Sequence, residues 1–183
     1  MALVVSVLPL KTLTCNVQIL AMSANFKAFK AIITNPIKYK LFLFNKLPMA
    51  FLAGLKLLTL QEDTAVVSVR FKWLNQNPFR SIYFAVLAMA AELSTGILAV
   101  AQTYKRNPLV SMLVVKCEGE FYKKAVGNFV FTCVDGLVIA NAIEETITTK
   151  QGVSITTTTI GKNEQDETVA KFIFTWSFKA KVL

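Results

Sequence analysis

Glu92 is the only charged residue in a long apolar run from Ser81 to Ala101, SIYFAVLAMAAELSTGILAVA, whose length and composition are typical of a helix. Burial of a carboxylate without partners costs several kcal/mol or raises its pKa until the group is neutral. Glu92 is therefore expected to be paired, to face a polar cavity, or to act chemically as a base or nucleophile.

The residues around Glu92 differ between the two sides of this predicted helix. At 3.6 residues per turn, bulky side chains such as Ile82, Met89 and Ile97 fall on the opposite side. Small side chains share the stripe of Glu92, namely Ser81, Ala85, Ala88, Thr95, Gly96 and Ala99. The stripe leaves room for a ligand or another backbone near the carboxylate. The alternative is that Glu92 only accepts hydrogen bonds from a partner helix or an Asn.

The residue types that are missing restrict the possible chemistry. The chain has no His, which excludes His-containing triads, His acid/base catalysis and His-ligated metal sites. Cys15, Cys117 and Cys133 are few and far apart, which argues against a disulfide framework or a zinc site. We therefore expect no metal or cofactor, a cytoplasmic location, and catalysis, if any, by carboxylates, amides or hydroxyls. Cys133 is interpreted as a small core residue.

Size and charge suggest one domain with an anionic partner. The 183 residues, of which 54% are hydrophobic, suit a single domain over residues 23–183, preceded by an apolar extension over residues 1–22. Because Met22 precedes a good helix start, the first 21 residues are expected to be dispensable for folding. The net charge of +9 favours phosphate groups, a coenzyme or a lipid surface. Nucleic acid is not expected, since the basic residues are scattered and accompany no recognised motif.

One hypothesis is that residues 81–101 span a membrane. The segment is long enough to cross a bilayer, but a central Glu disfavours insertion by roughly 2.5–3.5 kcal/mol. The amphipathic strands that follow favour a buried core helix instead. Membrane association is therefore not the expected outcome, and retention in membranes after a high-salt wash would support it.

The remaining elements are predicted from periodicity and from breaker residues. Residues 23–58 are predicted to be helical, with a break at Asn35-Pro36, and their lysines allow either a packing role or a basic, membrane-facing one. A charged turn is expected at residues 118–120, and the four consecutive threonines at 156–159 favour an outer strand. The other predicted elements are strands over 67–73, 109–116, 126–134, 153–160 and 172–178, and a helix over 137–150.

Two segments carry a family resemblance, NQNPFRSIYFAVLAMAAELSTG and NPLVSMLVVKCEGEFYKKAVGNFVFTCV. They resemble the hot-dog fold thioesterase superfamily, over about residues 24–183. The similarity is greatest to a bacterial hot-dog family described as a domain of unknown function, which is related to phenylacetate-pathway type acyl-CoA thioesterases. The resemblance implies an α+β fold in which an antiparallel β-sheet wraps a long central helix, here with extra N-terminal helices.

The resemblance also implies a site for thioester hydrolysis. Glu92 would be the general base or nucleophile, and Asn77, 15 positions earlier, would orient the water or the carbonyl. Amides around Phe84 and Ala85 would stabilise the developing negative charge, and Ser111 would assist the water. The phosphates of an acyl-CoA would be bound by cations in the flanking loops, namely Lys105, Arg106, Lys123 and Lys124.

The sequence departs from the family at the start of the central helix. The His-Gly-Gly segment of the relatives is replaced by Tyr83, Phe84 and Ala85, which places side chains where the backbone is expected to approach the thioester. Activity is therefore expected to be weak or absent. Tyr83 either supplies a hydroxyl in place of the His or is a packing aromatic.

Two functional hypotheses follow from the resemblance. The first is an acyl-CoA or acyl-carrier thioesterase. The second is a noncatalytic hot-dog module that binds a fatty acyl chain or lipid. In both cases a homodimer or a dimer of dimers is implied, with each site built from two chains.

Overall fold

The computed structural model describes residues 25–181, which begin with three helices: α1 over residues 25–33, α2 (Pro36–Lys46) and α3 (Pro48–Ala53). The Asn35 side chain accepts hydrogen bonds from the amides of Ile37 and Lys38, both at 3.1 Å, and so caps α2. The break at Asn35-Pro36 is confirmed. The predictions for residues 1–22 lie outside the described residues.

The predicted helical segment is too long at its end. Helix α3 stops at Ala53 because Gly54 follows in the left-handed conformation, with φ 76°. The chain then forms strand β1 (Lys56–Leu60), which pairs with β2 (Ala65–Arg70). The prediction of a helix up to Leu58 is therefore wrong, because pairing with β2 outweighs a local apolar pattern that suits either structure.

Six antiparallel strands form one sheet. The remaining strands are β3 (Val110–Phe121), β4 (Asn128–Cys133), β5 (Val153–Asn163) and β6 (Thr168–Ala180), and the order across the sheet is β1-β2-β4-β5-β6-β3. Strands β1 and β3 are thus the two edges. The long helix α4 (Phe84–Thr103) and the shorter α5 (Gly136–Thr149) pack against this sheet, which confirms the α+β architecture.

Two local predictions about the strands are wrong. The charged residues 118–120 lie inside β3 rather than in a turn, because Gly119 pairs with Phe172 of β6. A Cβ atom on Gly119 would lie 2.7 Å from the Phe172 ring, so glycine lets that ring cover the strand. The threonines at 156–159 do form a strand, but β5 is interior, between β4 and β6, where Thr157 and Thr159 are buried.

Helix α4 is long and apolar enough to cross a membrane, and 67% of an apolar 18-residue stretch of this helix is buried inside the fold. Its buried residues, such as Leu87, Ala91 and Leu98, belong to the same core as Phe131 and Phe174 of the sheet. Core helices of globular domains have the same composition as spans, so the helix by itself is weak evidence for membrane insertion.

Candidate active site

Glu92 occupies the middle of α4, on a stripe that the fold leaves partly exposed. Phe84, Ala85, Ala88 and Met89 are also partly exposed along it. The prediction that Met89 lies on the opposite side from Glu92 is therefore wrong, because residues three apart in a helix are neighbours on its surface. Among the described residues no donor forms a hydrogen bond to the Glu92 carboxylate, and its burial raises the pKa of Glu92. Burial, followed by the nearby charges of Glu118 and Glu92, raises the pKa of the Cys117 thiol on β3. Glu92 thus presents a desolvated carboxylate towards the β3 side of the sheet.

Trp176 of β6 occupies part of the space that the small residues of α4 leave. Its indole Nε1 donates a hydrogen bond of 3.1 Å to Thr95 Oγ1, which in turn donates to the carbonyl oxygen of Glu92 at 3.0 Å. A Cβ atom on Gly96 would lie 2.8 Å from Glu92 Oε1 and 3.4 Å from the Trp176 ring. The absence of a side chain at Gly96 therefore leaves room for both the Glu92 carboxylate and the Trp176 ring.

The start of α4 offers two backbone amides. Val86 and Leu87 donate their amides to the Tyr83 carbonyl, whereas the amides of Phe84 and Ala85 have no acceptor within the described part of the chain. The side chains of Tyr83 and Phe84 are about half exposed and contact each other edge to face.

The Asn77 side chain forms its hydrogen bonds within the loop before α4. Its Oδ1 accepts hydrogen bonds from the amides of Phe79 and Ser81 at 3.0 and 3.2 Å and from the Ser81 hydroxyl at 3.1 Å, and its Nδ2 donates to the Ile82 carbonyl at 3.4 Å. Both ends of the amide are used, so Asn77 fixes the backbone that leads into the helix.

A cavity of about 320 Å³ brings several predicted site residues together at the start of α4. It is lined by Asn77, Tyr83 and Phe84, and also by Lys123 and Lys124. Lys123 pairs with Glu167 at 2.5 Å, and both side chains are about half exposed. The cavity therefore brings two cations, one of them paired, to Phe84, whereas Ala85 does not line it. Glu92 lies farther along α4, seven residues beyond Ala85, which is about 10 Å at 1.5 Å per residue.

Ser111 is not brought close to Glu92. It is exposed, pairs with the exposed Lys179 of β6, and donates its hydroxyl to the Lys179 carbonyl at 3.0 Å. Its neighbours Val110 and Met112 pair with the buried Ala180 and Phe178. Because directly opposed residues share a face of the sheet, Ser111 points away from α4. Its catalytic role stays a prediction that the geometry of one chain does not support.

Lys105 and Arg106 lie beyond the C-terminal end of α4, so they are a full helix length, about 30 Å, from Phe84. The Lys105 ammonium lies 5.4 Å from the centre of the Tyr104 ring. Arg106 is 9% exposed and forms an ion pair with Glu144 of α5. A phosphate-binding role for Arg106 would require that ion pair to open.

Two residues that contact this region were not singled out from the sequence. Trp176 and Phe121 lie on β6 and β3, and Phe121 contacts both Phe84 and Phe172. The alternation of aromatics over 172–178 marks Trp176 as a core residue, but only the pairing of strand and helix shows that it binds Thr95.

Comparisons with known proteins place this geometry in a fold. No protein-family model matches the sequence, and none of the curated proteins matches it. A Pseudomonas aeruginosa protein described as a probable thioesterase aligns over 80% of this chain and 97% of its own, with 17% identity and a TM-score of 0.66. A Chlorobaculum tepidum protein of unknown function aligns over 82% and 99%, with 16% identity and a TM-score of 0.67. The E. coli PaaI protein from the phenylacetic acid degradation operon aligns over 76% and 88%, with 16% identity and a TM-score of 0.55.

The chain has the hot-dog fold that these thioesterase-like structures share, with α4 as its central helix. At identities below one fifth, the similarity establishes the fold and the expected arrangement of helix and sheet.

Proposed function

We propose that this protein hydrolyses an acyl thioester, with Glu92 as the general base or nucleophile. The observation that supports this function is a partly buried carboxylate, without a hydrogen-bond donor from the described residues, on the central helix of a hot-dog fold. A poorly solvated carboxylate without a partner destabilises the fold, so its presence favours a functional role. Desolvation also makes the carboxylate a stronger base. The free amides of Phe84 and Ala85 supply donors for a developing oxyanion.

The carrier in this proposal is coenzyme A or a similar anionic carrier. Lys123 and Lys124 line the cavity at the start of α4, where they would meet phosphate groups of the carrier. A KM that rises with salt concentration is expected from this contact, since exposed charges are screened.

The direct test is hydrolysis of a panel of short, medium, long and aromatic acyl-CoAs by the purified protein. Release of free thiol from at least one class is expected, and the preferred class identifies the acyl group. An absence of turnover on every member of the panel would contradict the proposal.

The second candidate function is acyl-chain binding without catalysis. It is favoured by the ring of Phe84, which stands where the relatives have a glycine and packs against the ring of Tyr83. Under this alternative, a nonhydrolysable acyl-CoA analogue binds the wild type and Glu92→Gln with similar affinity, and neither protein shows turnover.

A homodimer is part of the same proposal. Strand β3 is a 12-residue edge strand that exposes Leu113 and Val115, with 63% and 53% of their surfaces accessible. Long apolar edges are normally covered. Within one chain Glu92 and the α4 amides are about 10 Å apart, so a second chain could bring its own Glu92 to these amides. Sedimentation should show a dimer or a dimer of dimers, and a stable monomer would contradict the two-chain site.

Gly96→Ala should lower kcat by about 100-fold without destabilising the fold. The new Cβ would lie 2.8 Å from Glu92 Oε1, so the carboxylate must move, and a displacement of about 1 Å is enough for an effect of this size. Ala is favoured over Gly inside a helix by about 1 kcal/mol, so the free energy of unfolding should not fall. Stopped-flow turnover and urea unfolding measure the two effects.

Gly152→Ala is the matched control, because a Cβ atom there has no neighbour within 4 Å. An unchanged kcat for Gly96→Ala would show that the position of the Glu92 carboxylate is not important for turnover.

A further inference from the structure

A second cavity lies away from Glu92. It has a volume of about 700 Å³ and lies between the N-terminal helices and the β1–β2 edge of the sheet. Glu92 faces the β3 side, at the other edge. The two regions share no residue. The volume is typical of pockets that bind small organic ligands.

The wall of this cavity is mostly apolar. It is formed by Ile33, Pro36, Leu43, Leu55, Leu57 and Phe71. Tyr39 also lines it, but the Tyr39 hydroxyl donates to the Leu55 carbonyl at 3.3 Å and is therefore already satisfied. An apolar chain placed here would be removed from water, with a gain of about 0.8 kcal/mol for each buried methylene.

Four cations complete the lining, namely Lys40, Lys56, Arg70 and Lys72, and the lining contains no acidic residue. None of the four forms an ion pair with a carboxylate of residues 25–181. Exposed lysines are often simply solvated, but four cations around one apolar cavity, with no counter-charge, create a positive potential at its rim.

The position of Lys72 depends on Gly54. A Cβ atom at Gly54 would lie 1.8 Å from Lys72 Nζ and 2.7 Å from its Cε. The ammonium group therefore lies directly against the glycine backbone, in the wall of the cavity. Gly54 also has a φ of 76°, so the same residue ends α3 and makes room for the cation.

We propose that this cavity binds a single-chain amphiphile with an anionic head, such as a free fatty acid or a lysophospholipid. The acyl chain lies against the apolar wall, and the carboxylate or phosphate is bound by Lys40 and Lys72. Residues 1–24 of the chain are apolar enough to compete for the wall, but they contain Lys11 and no acidic residue, so their charge does not complement the cations. The site is separate from the proposed thioesterase site and does not depend on it.

The test is a fluorescence titration of the full chain with cis-parinaric acid. Saturable binding is expected, with displacement by palmitate or by palmitoyl lysophosphatidate; comparison of these two competitors distinguishes a carboxylate from a phosphate head. Hexadecanol, which has a similar chain and no charge, should compete at least about tenfold more weakly, because charge-assisted hydrogen bonds are lost. Glu92→Gln should bind the probe with unchanged affinity, so this result is independent of thioester turnover.

The double variant Lys40→Gln, Lys72→Gln should weaken probe binding by about tenfold or more. The matched control is Lys38→Gln, Lys46→Gln, which removes the same charge from exposed positions on α2 outside the cavity. Equal effects of the two double variants, or equal competition by palmitate and hexadecanol, would overturn the proposal.

Two other results would also overturn it. An absence of saturable binding by the full chain would leave residues 1–24 as the candidate occupant. Binding to phosphatidylglycerol vesicles without binding of dispersed palmitate would indicate a membrane-facing surface, for which Ile37, Leu41 and Phe44 are exposed on one face of α2.

Discussion

Glu92→Gln should reduce kcat for acyl-CoA hydrolysis by about 100-fold or more, with little change in the affinity for a nonhydrolysable analogue. Glutamine keeps the shape of the side chain but can neither accept a proton from water nor attack the thioester, and general base catalysis contributes about 10²–10⁴-fold. The measurements are steady-state turnover and calorimetric binding.

Glu145→Gln is the matched control for this substitution. Glu145 lies on α5, is exposed, and has no contact with the candidate site. Its turnover should equal that of the wild type. A Glu92→Gln protein that kept full activity would show that another group supplies the base.

The pH dependence of kcat/KM should also report the ionisation of Glu92. Glu92 must be ionised to act as a base, and burial raises the pKa of Glu92 above the ordinary glutamate value of 4.5. The wild-type kcat/KM should therefore fall as the pH drops through this raised pKa. The residual activity of Glu92→Gln should lack that acidic limb.

The free energy of unfolding should decrease with rising pH, whereas kcat/KM should increase. The pKa of Glu92 is raised in the folded state, so the unfolded chain loses this proton at a lower pH. The wild-type free energy of unfolding should decrease as the pH rises from the ordinary glutamate pKa to the raised one. Glu92→Gln removes this decrease, so the variant should melt at a higher temperature than the wild type at neutral pH.

Arg106→Met should lower the free energy of unfolding by about 3 kcal/mol. Arg106 is 9% exposed and the side chain of its partner Glu144 is 20% exposed, so the substitution leaves a poorly solvated carboxylate without its cation. Breaking a buried ion pair from one side costs about 3–5 kcal/mol, and the partial exposure of Glu144 favours the lower end. Urea unfolding followed by circular dichroism measures the effect.

The double variant Arg106→Met, Glu144→Leu should recover most of this loss, because both charges are then absent. Lys123→Met removes a half-exposed ion pair and should change stability by less than about 1 kcal/mol. A stable Arg106→Met protein with a raised KM for acyl-CoA would instead assign Arg106 to carrier binding.

Long amphipathic elements were predictable because their periodicity is local. The central helix and the strands predicted over 67–73 and 126–134 follow from the spacing of apolar residues, and the break at Asn35-Pro36 follows from its proline. The predicted end of the first strand is wrong, because β2 ends at Arg70 and Trp73 begins a short 3-10 helix. The fold class followed from the resemblance, and the structure confirms it. Strand β1 was missed because its five residues carry no alternation strong enough to outweigh a helical pattern.

The site was only partly predictable, because sequence spacing does not give the orientation of a side chain. The resemblance grouped Ser111 with Glu92, and simple alternation from Cys117 would place both Ser111 and Cys117 on the side that faces α4. The structure has a register shift between Val114 and Lys116, which leaves Val115 unpaired. Such a bulge reverses the alternation, and Ser111 therefore faces outward.

Arg106 shows a different reason for an incomplete prediction. Its neighbour Lys105 indicates a basic loop, and nothing in the local sequence reveals that Glu144 of α5 lies beside it. Ion pairs between distant segments depend on tertiary packing.

The irregularity at Val115 also matters for mutagenesis of this strand. Between Val110 and Val114 the even-numbered positions face the helix, whereas between Cys117 and Phe121 the odd-numbered positions do. A library built to vary the inward surface must change parity at Val115. Deletion of Val115 itself would remove the extra residue of the bulge and leave the inward residues of both halves of β3 unchanged.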